Sequence, residues 1–189
     1  MKTGASGKKA LVVVDMLNDF VHPGAPLEVP GTRAILPALR RRIASARRDG
    51  ELVVYVCDSH RKDDPEFTRM GWPPHAVEGT PGAGVVASIT PEPGDVVVEK
   101  RTYSGFYGTT LHFILRRHGI RFLTLAGCVT NICILFISAE ATIRGYDVTV
   151  DERYVAGLAP DTHAFALDQM EKVFGVQVLR RPGRKAPRR

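Results

Sequence analysis

Apolar residues in this chain come in short runs separated by amphipathic stretches. Residues 10–14 (ALVVV) are continuous and β-branched, the pattern of a strand buried on both faces. Residues 52–57 (LVVYVC), 95–98, 121–126, 147–150 and 176–179 predict further strands. Leu36, Leu39, Ile43 and Ala46 recur at helical spacing up to Asp49-Gly50, and Leu111, Ile114, Leu115 and His118 do so up to Gly119. Residues 131–144 predict a helix that is apolar nearly all round, through Ile132, Ile134, Leu135, Phe136 and Ile137. It is expected to be the buried helix. Residues 161–174 predict another helix. Residues 58–84 are polar and rich in Pro and Gly, and a loop that long inside a compact domain is usually functional.

Strands alternating with helices predict parallel βαβ units. The expected fold is a single doubly wound α/β domain over residues 10–179. Its six-stranded parallel sheet has the order 3-2-1-4-5-6, with helices on both faces. Sites in such sheets lie beyond the carboxyl ends of the strands at the switch point, between the first and fourth strands. No G-x-G-x-x-G follows the first strand, which argues against a dinucleotide site.

Composition and charge refine this picture. The 189 residues are 44% hydrophobic, which suits one domain with a sizeable core. The apolar runs are far shorter than the ~18 residues that span a bilayer, and no signal-peptide pattern is visible. A cytoplasmic protein with no membrane association is expected. The net charge is +6, but six of the 26 Lys and Arg lie in residues 180–189, and the others match the 20 Asp and Glu. The basic character therefore belongs to a tail that also holds Pro182, Gly183 and Pro187. This tail is expected to be disordered and solvated, which makes nucleic-acid binding the less favoured role for it. Residues 1–9 are expected to be a flexible N-terminus. Cys57, Cys128 and Cys133 form an odd set that fits no zinc-finger spacing, as in a reduced compartment.

The candidate chemistry sits at the strand ends. The first strand ends in Asp15, the second runs into Asp58-Ser59-His60, and the third into Glu99-Lys100. The fourth runs into Gly127-Cys128-Val129-Thr130-Asn131-Ile132-Cys133. Each residue alone has an ordinary structural reading, as turn cap, solvated strand end or small core residue. Their convergence points to nucleophilic chemistry. A free thiol with a pKa of ~8.5 is only slightly ionised at neutral pH. Cys133 is expected in the first turn of its helix, where the dipole favours an anion, and Lys100 would add positive charge. Asp15 could take the thiol proton and return it, provided burial or a neighbouring anion raises its own pKa. In the long loop, Asp58, His60, Glu66 and His75 suit a divalent ion: zinc first, manganese or iron as alternatives. Spacing alone leaves open whether they are instead polar surface groups.

The blocks VVVDMLNDF, VEKRTYSGF and LAGCVTNICILFISAEATIRGYDV resemble the signature blocks of the isochorismatase-like cysteine hydrolase superfamily. The resemblance runs from about residue 10 to 178. It implies the doubly wound fold and an Asp-Lys-Cys triad at Asp15, Lys100 and Cys133, with Cys128 ranked second as nucleophile. It also implies a cis peptide at Cys128–Val129 and an oxyanion hole made by the backbone N–H groups of Val129 and Cys133.

The pattern D-x-H…W-P-P-H-x-V-x-G-T-P-G is similar to the metal loop of nicotinamidases and pyrazinamidases. That likeness implies one divalent ion on Asp58, His60 and His75, with Glu66 as a fourth ligand and the ion holding a pyridine nitrogen. Phe20, Trp72 and Tyr103 match the aromatic positions around the ring. Leu17, Ala76 and Asn131 depart from the common pattern. The implied activity is hydrolysis of nicotinamide to nicotinate and ammonia through a Cys133 thioester, a step of pyridine nucleotide salvage. One alternative is a related cysteine hydrolase of another small amide. The other is a non-catalytic, nucleic-acid-associated protein that uses its basic tail. Members of the superfamily often assemble, so a homo-oligomer is expected.

Overall fold

The β-branched runs form β1 (Lys8–Val14), β2 (Leu52–Asp58), β3 (Val96–Lys100), β4 (Ile120–Cys128), β5 (Asp147–Ala156) and β6 (Gln177–Leu179). They make one six-stranded sheet in the order 3-2-1-4-5-6, and every neighbouring pair is parallel. This computed structural model describes residues 7–181. The helices are α1 (Asn18–Val21), α2 (Gly31–Arg48), α3 (Pro65–Met70), α4 (Leu111–Arg117), α5 (Leu135–Ile143) and α6 (Pro160–Lys172).

Side chains alternate across each strand, so β1 feeds two cores. Ala10, Val12 and Val14 pack with Leu111 and Leu115 of α4, Ile137 and Ala141 of α5, and Leu167 and Met170 of α6. Leu11 and Val13 pack on the other face with Ile35, Leu39 and Ile43 of α2. Burial on both faces is why the central strands read as unbroken apolar runs.

The switch point falls at the end of β1, where Val14 registers with Val56 on one side and Gly127 on the other. Gly127 has φ 111°, and a Cβ there would stand 2.0 Å from the Val14 carbonyl oxygen. Only glycine lets β4 pass this close to β1.

Several elements differ from the sequence reading. α2 begins at Gly31 and carries Pro37 inside it. Proline lacks the N–H that a helix interior needs, so its first turns read as loop. The long loop holds α3, whose N-cap Asp64 accepts a hydrogen bond from the Glu66 N–H at 2.9 Å. The helix expected over 131–144 is divided into a π-turn at Thr130–Ile134 and α5. α5 buries Ile137, Ser138 and Ala141 but leaves Phe136 48% and Ile143 82% exposed, so it is not buried all round. The physical reason is that it packs only one face on the sheet.

At the chain ends, Lys8 and Lys9 already belong to β1. Arg180 and Arg181, counted with the tail, are bonded to the domain. Arg180 Nη2 lies 2.6 Å from Glu171 Oε2, and the Arg181 N–H donates to Glu152 Oε2 at 2.9 Å. The expected flexibility of residues 1–6 and disorder of residues 182–189 lie outside the described residues. Among the described residues, no helix is long and apolar enough to cross a membrane.

Candidate active site

The strand ends bring Asp15, Asp58, Lys100 and Cys133 together, and all of them but Lys100 line a cavity of about 390 Å³. Asp15 follows β1 with φ 49°, a left-handed conformation that a non-glycine residue rarely adopts. One bond to its backbone and one to its side chain hold it there. The Asp15 N–H donates to the Val56 carbonyl at 2.9 Å, and the Asp58 N–H donates to Asp15 Oδ1 at 2.8 Å. Lys100 ends β3 and is only 1% exposed. Its Nζ lies 2.8 Å from Asp15 Oδ2 and 3.5 Å from Cys133 Sγ, and it donates to Asp58 Oδ1. The approach to Asp15 Oδ2 is an ion pair outside hydrogen-bond geometry, and that oxygen keeps no hydrogen-bond partner.

This geometry sets the protonation states. Burial, and then the charge of Asp58, raise the Asp15 carboxyl to about 6 against the pull of Lys100. Burial pushes the Cys133 thiol well above its ordinary value, and the opposing effect of Lys100 does not compensate. The expectation that a helix start would favour the thiolate is therefore corrected. Thr130–Ile134 is a five-residue π-turn, and desolvation of the enclosed thiol outweighs nearby positive charge. Burial thus favours the neutral thiol, and Asp15 is the carboxylate placed beside it to accept a proton. The expected cis peptide is present at Cys128–Val129. Val129 and Cys133 both line the cavity. Cys128 does not line it; its thiol donates to the Asp15 carbonyl at 3.1 Å.

A second cluster faces the same space. Asp58, His60 and His75 each offer a ligand atom, all within 4.8 Å of one another. His60 Nδ1 meets Asp64 Oδ2 at 3.1 Å, and His75 Nδ1 meets the Pro73 carbonyl at 2.9 Å. With each Nδ1 so held, Nε2 is the candidate ligand atom of each ring, the second-sphere pattern of metal-binding histidines, and His60 Nε2 lies 3.8 Å from Asp58 Oδ2. Burial works to lower the His60 pKa, but Asp58 and Asp64 raise it; burial holds His75 below its usual value. Glu66, expected as a fourth ligand, falls outside this trio. The cap that starts α3 sets its carboxylate with His60 and Asp64. There it joins burial in raising the Tyr103 phenol. Phe20 and Trp72 flank His75 with ring centroids at 5.6 and 5.9 Å, and Tyr103 meets Trp72 at 6.1 Å. All of these aromatic side chains line the cavity.

Sequence reasoning passed over Asp64, Asp19 and Glu28. Asp64 was findable, since Asp before Pro at a helix start is an N-cap signal. Asp19 accepts from the Ala76 N–H at 2.8 Å and ties the long loop to the segment after β1. Glu28 lines the cavity from the Pro-rich loop, with no local signal for that role.

The sheet order and the buried thiol cluster together define a doubly wound hydrolase with a cysteine at its switch point. The chain belongs to the isochorismatase family, whose domain model matches residues 9–181. Among solved structures it is similar to N-carbamoylsarcosine amidase from Thermoplasma acidophilum, with 41% identity and TM-score 0.82, over 92% of this chain and 96% of that one. It is also similar to nicotinamidase PncA from Bacillus subtilis, with 32% identity and TM-score 0.86, over 91% and 99% of the two chains. The pyrazinamidase of Pyrococcus horikoshii in complex with zinc shares 32% identity at TM-score 0.86, over 92% and 99%.

Proposed function

We propose that this hydrolase is a metal-dependent cysteine amidase for an uncharged carboxamide on a flat nitrogen heteroaromatic ring, nicotinamide first. The observation that carries this reading is the trio Asp58, His60 and His75 on the wall of the cavity that Cys133 also lines. Two imidazoles and one carboxylate, with His60 Nε2 3.8 Å from Asp58 Oδ2, fit zinc or a neighbouring divalent metal. When bound, such an ion supplies a Lewis-acid contact for a ring nitrogen.

This chain's own residues carry the remaining chemistry. Phe20, Trp72 and Tyr103 enclose a flat ring and exclude water. Cys133 Sγ attacks the carboxamide carbon as its proton passes to Asp15. The oxyanion is received by the Val129 and Cys133 N–H groups; one such donor is typically worth ~10²–10³ in rate. Asp15 returns the proton to departing ammonia, which leaves a thioester on Cys133. Asp15 then takes a proton from water as the water attacks the thioester, and the acid and the Cys133 thiol are released. Lys100 holds the carboxylate and the developing thiolate by charge.

The wall chemistry supports an uncharged substrate. Asp15, Glu28, Asp58 and Glu66 line the cavity, and no Lys or Arg does among the described residues. Lys100 pairs with Asp15 and Asp58, and Arg33 with Glu28, so an amide that carries its own carboxylate, such as N-carbamoylsarcosine, would enter chiefly against the Glu66 carboxylate. Ammonia release from nicotinamide, pyrazinamide and N-carbamoylsarcosine tests the point. The first two should be hydrolysed well and the third poorly; a preference for the third overturns the substrate assignment.

The metal makes a separate prediction. Elemental analysis should find about one divalent ion per chain. His60→Ala and His75→Ala should both lose it, and each should raise KM for nicotinamide more than it slows Cys133 alkylation. Protein that takes up no metal and still hydrolyses nicotinamide overturns the metal role.

A further inference from the structure

Behind the nucleophile turn, on the side away from the cavity, lies a buried polar chain that the reaction above does not use. Thr130 opens the π-turn that carries Cys133, and it is 0% exposed. Its Oγ1 lies 2.9 Å from His163 Nδ1 on α6. His163 Nε2 lies 3.7 Å from Glu152 Oε1 on β5. The other Glu152 oxygen accepts the Arg181 N–H at 2.9 Å, and Arg181 Nη2 donates to the Glu152 carbonyl at 3.4 Å. Gly157, just past β5, makes room for the imidazole. A Cβ on Gly157 would stand 2.9 Å from His163 Cβ and 3.3 Å from Nδ1.

We propose that Thr130, His163 and Glu152 form a positioning relay that fixes the π-turn, and with it the Cys133 thiol and the Val129 N–H, for catalysis. The hydroxyl–imidazole–carboxylate order resembles a nucleophile triad, but an enclosed Thr130 meets no substrate, so the relay acts through the turn. A π-turn is a rare stretch of helix, found mostly as single turns and often at functional sites. Its own links back to the strand end are the Ile132 and Ile134 N–H groups on the Val129 carbonyl, at 3.0 and 3.2 Å. The Thr130 side chain adds an anchor on α6 from the opposite side. Through Glu152 the anchor reaches β5, and through Arg181 it reaches the segment after β6. Small misplacement of a reacting atom costs rate rather than affinity, so the relay should be read in kcat. The inference rests on Cys133 as the nucleophile.

The test uses the full-length protein. Thr130→Val keeps the shape and removes the hydroxyl; His163→Ala removes the imidazole. Each should lower kcat roughly tenfold and leave KM within about twofold. The double variant should be no slower than the slower single one, because both break one link. Thr130→Ser should recover most of the rate, and Gly157→Ala should reproduce the loss by displacing His163. Iodoacetamide alkylation of Cys133, separated from Cys57 and Cys128 by peptide mass spectrometry, should slow with kcat. If His163→Ala does not fold, the near-isosteric Thr130→Val decides. A folded Thr130→Val enzyme with wild-type kcat and wild-type Cys133 alkylation overturns the relay, as do losses that multiply in the double variant. Turnover surviving in Cys133→Ala would instead overturn the nucleophile assignment, and Cys133 alkylation would still report on the relay.

Discussion

Cys133→Ala should abolish amide hydrolysis, by at least about 10⁴-fold, while the protein stays folded. The side chain lost is a single sulfur at a site that is 6% exposed, so the stability cost should be only about 1 kcal/mol. Alanine can neither attack the carboxamide nor hold an acyl group. Wild-type protein quenched during turnover should show the acyl adduct on the Cys133 peptide by mass spectrometry. Cys128→Ala is the control. Its thiol is fully buried and donates to the Asp15 carbonyl, with no opening to the cavity. It should retain most of the activity. An adduct on Cys128, or turnover in Cys133→Ala, removes Cys133 from the mechanism.

Lys100→Met should be the most destabilising single change at the site. The ammonium is enclosed between Asp15 and Asp58, both themselves buried. Methionine fills much of the same volume but leaves two carboxylates facing each other without a cation. Breaking a buried ion cluster on one side typically costs about 3–5 kcal/mol. For a chain of this size, that corresponds to a fall in Tm on the order of 10 °C, measured with chelator present so that no metal offsets the charge. Cys133 alkylation should slow as well, because the thiolate loses its cation. Adding Asp58→Asn should restore part of the stability, since one of the opposed charges is gone. An unchanged Tm would show that the carboxylates are not held by Lys100. Unchanged alkylation would confine Lys100 to a structural role.

Much of this architecture is written in the chain. Unbroken β-branched runs such as LVVYVC mark strands covered on both faces, and their alternation with helices implies the parallel doubly wound sheet, whose order 3-2-1-4-5-6 the structure shows. Asp15, Lys100 and Cys133 are legible because a switch-point site must draw on neighbouring strand ends. What escapes is whatever depends on long-range partners. β5 runs through Asp151, Glu152 and Arg153, charges that end an apolar pattern on paper. In the fold, Asp151 is buried against Arg153, and Glu152 against the Arg181 backbone. The π-turn is hidden for the same reason: Thr130–Ile134 reads as ordinary helix until packing on α6 is known. The thiol pKa was misjudged because local charge can be read from sequence, whereas desolvation depends on everything packed around the group.

The acidic wall of the cavity bears on how a turnover ends. In the proposed reaction an uncharged carboxamide goes in, but the acid that comes out is ionised at neutral pH. Glu66, which takes no part in that reaction, stands as a like charge beside the product at the moment it is formed. The pocket thus discriminates between the two ends of its own reaction. It opposes rebinding of the acid and pushes it toward solvent, so accumulated product should inhibit only weakly.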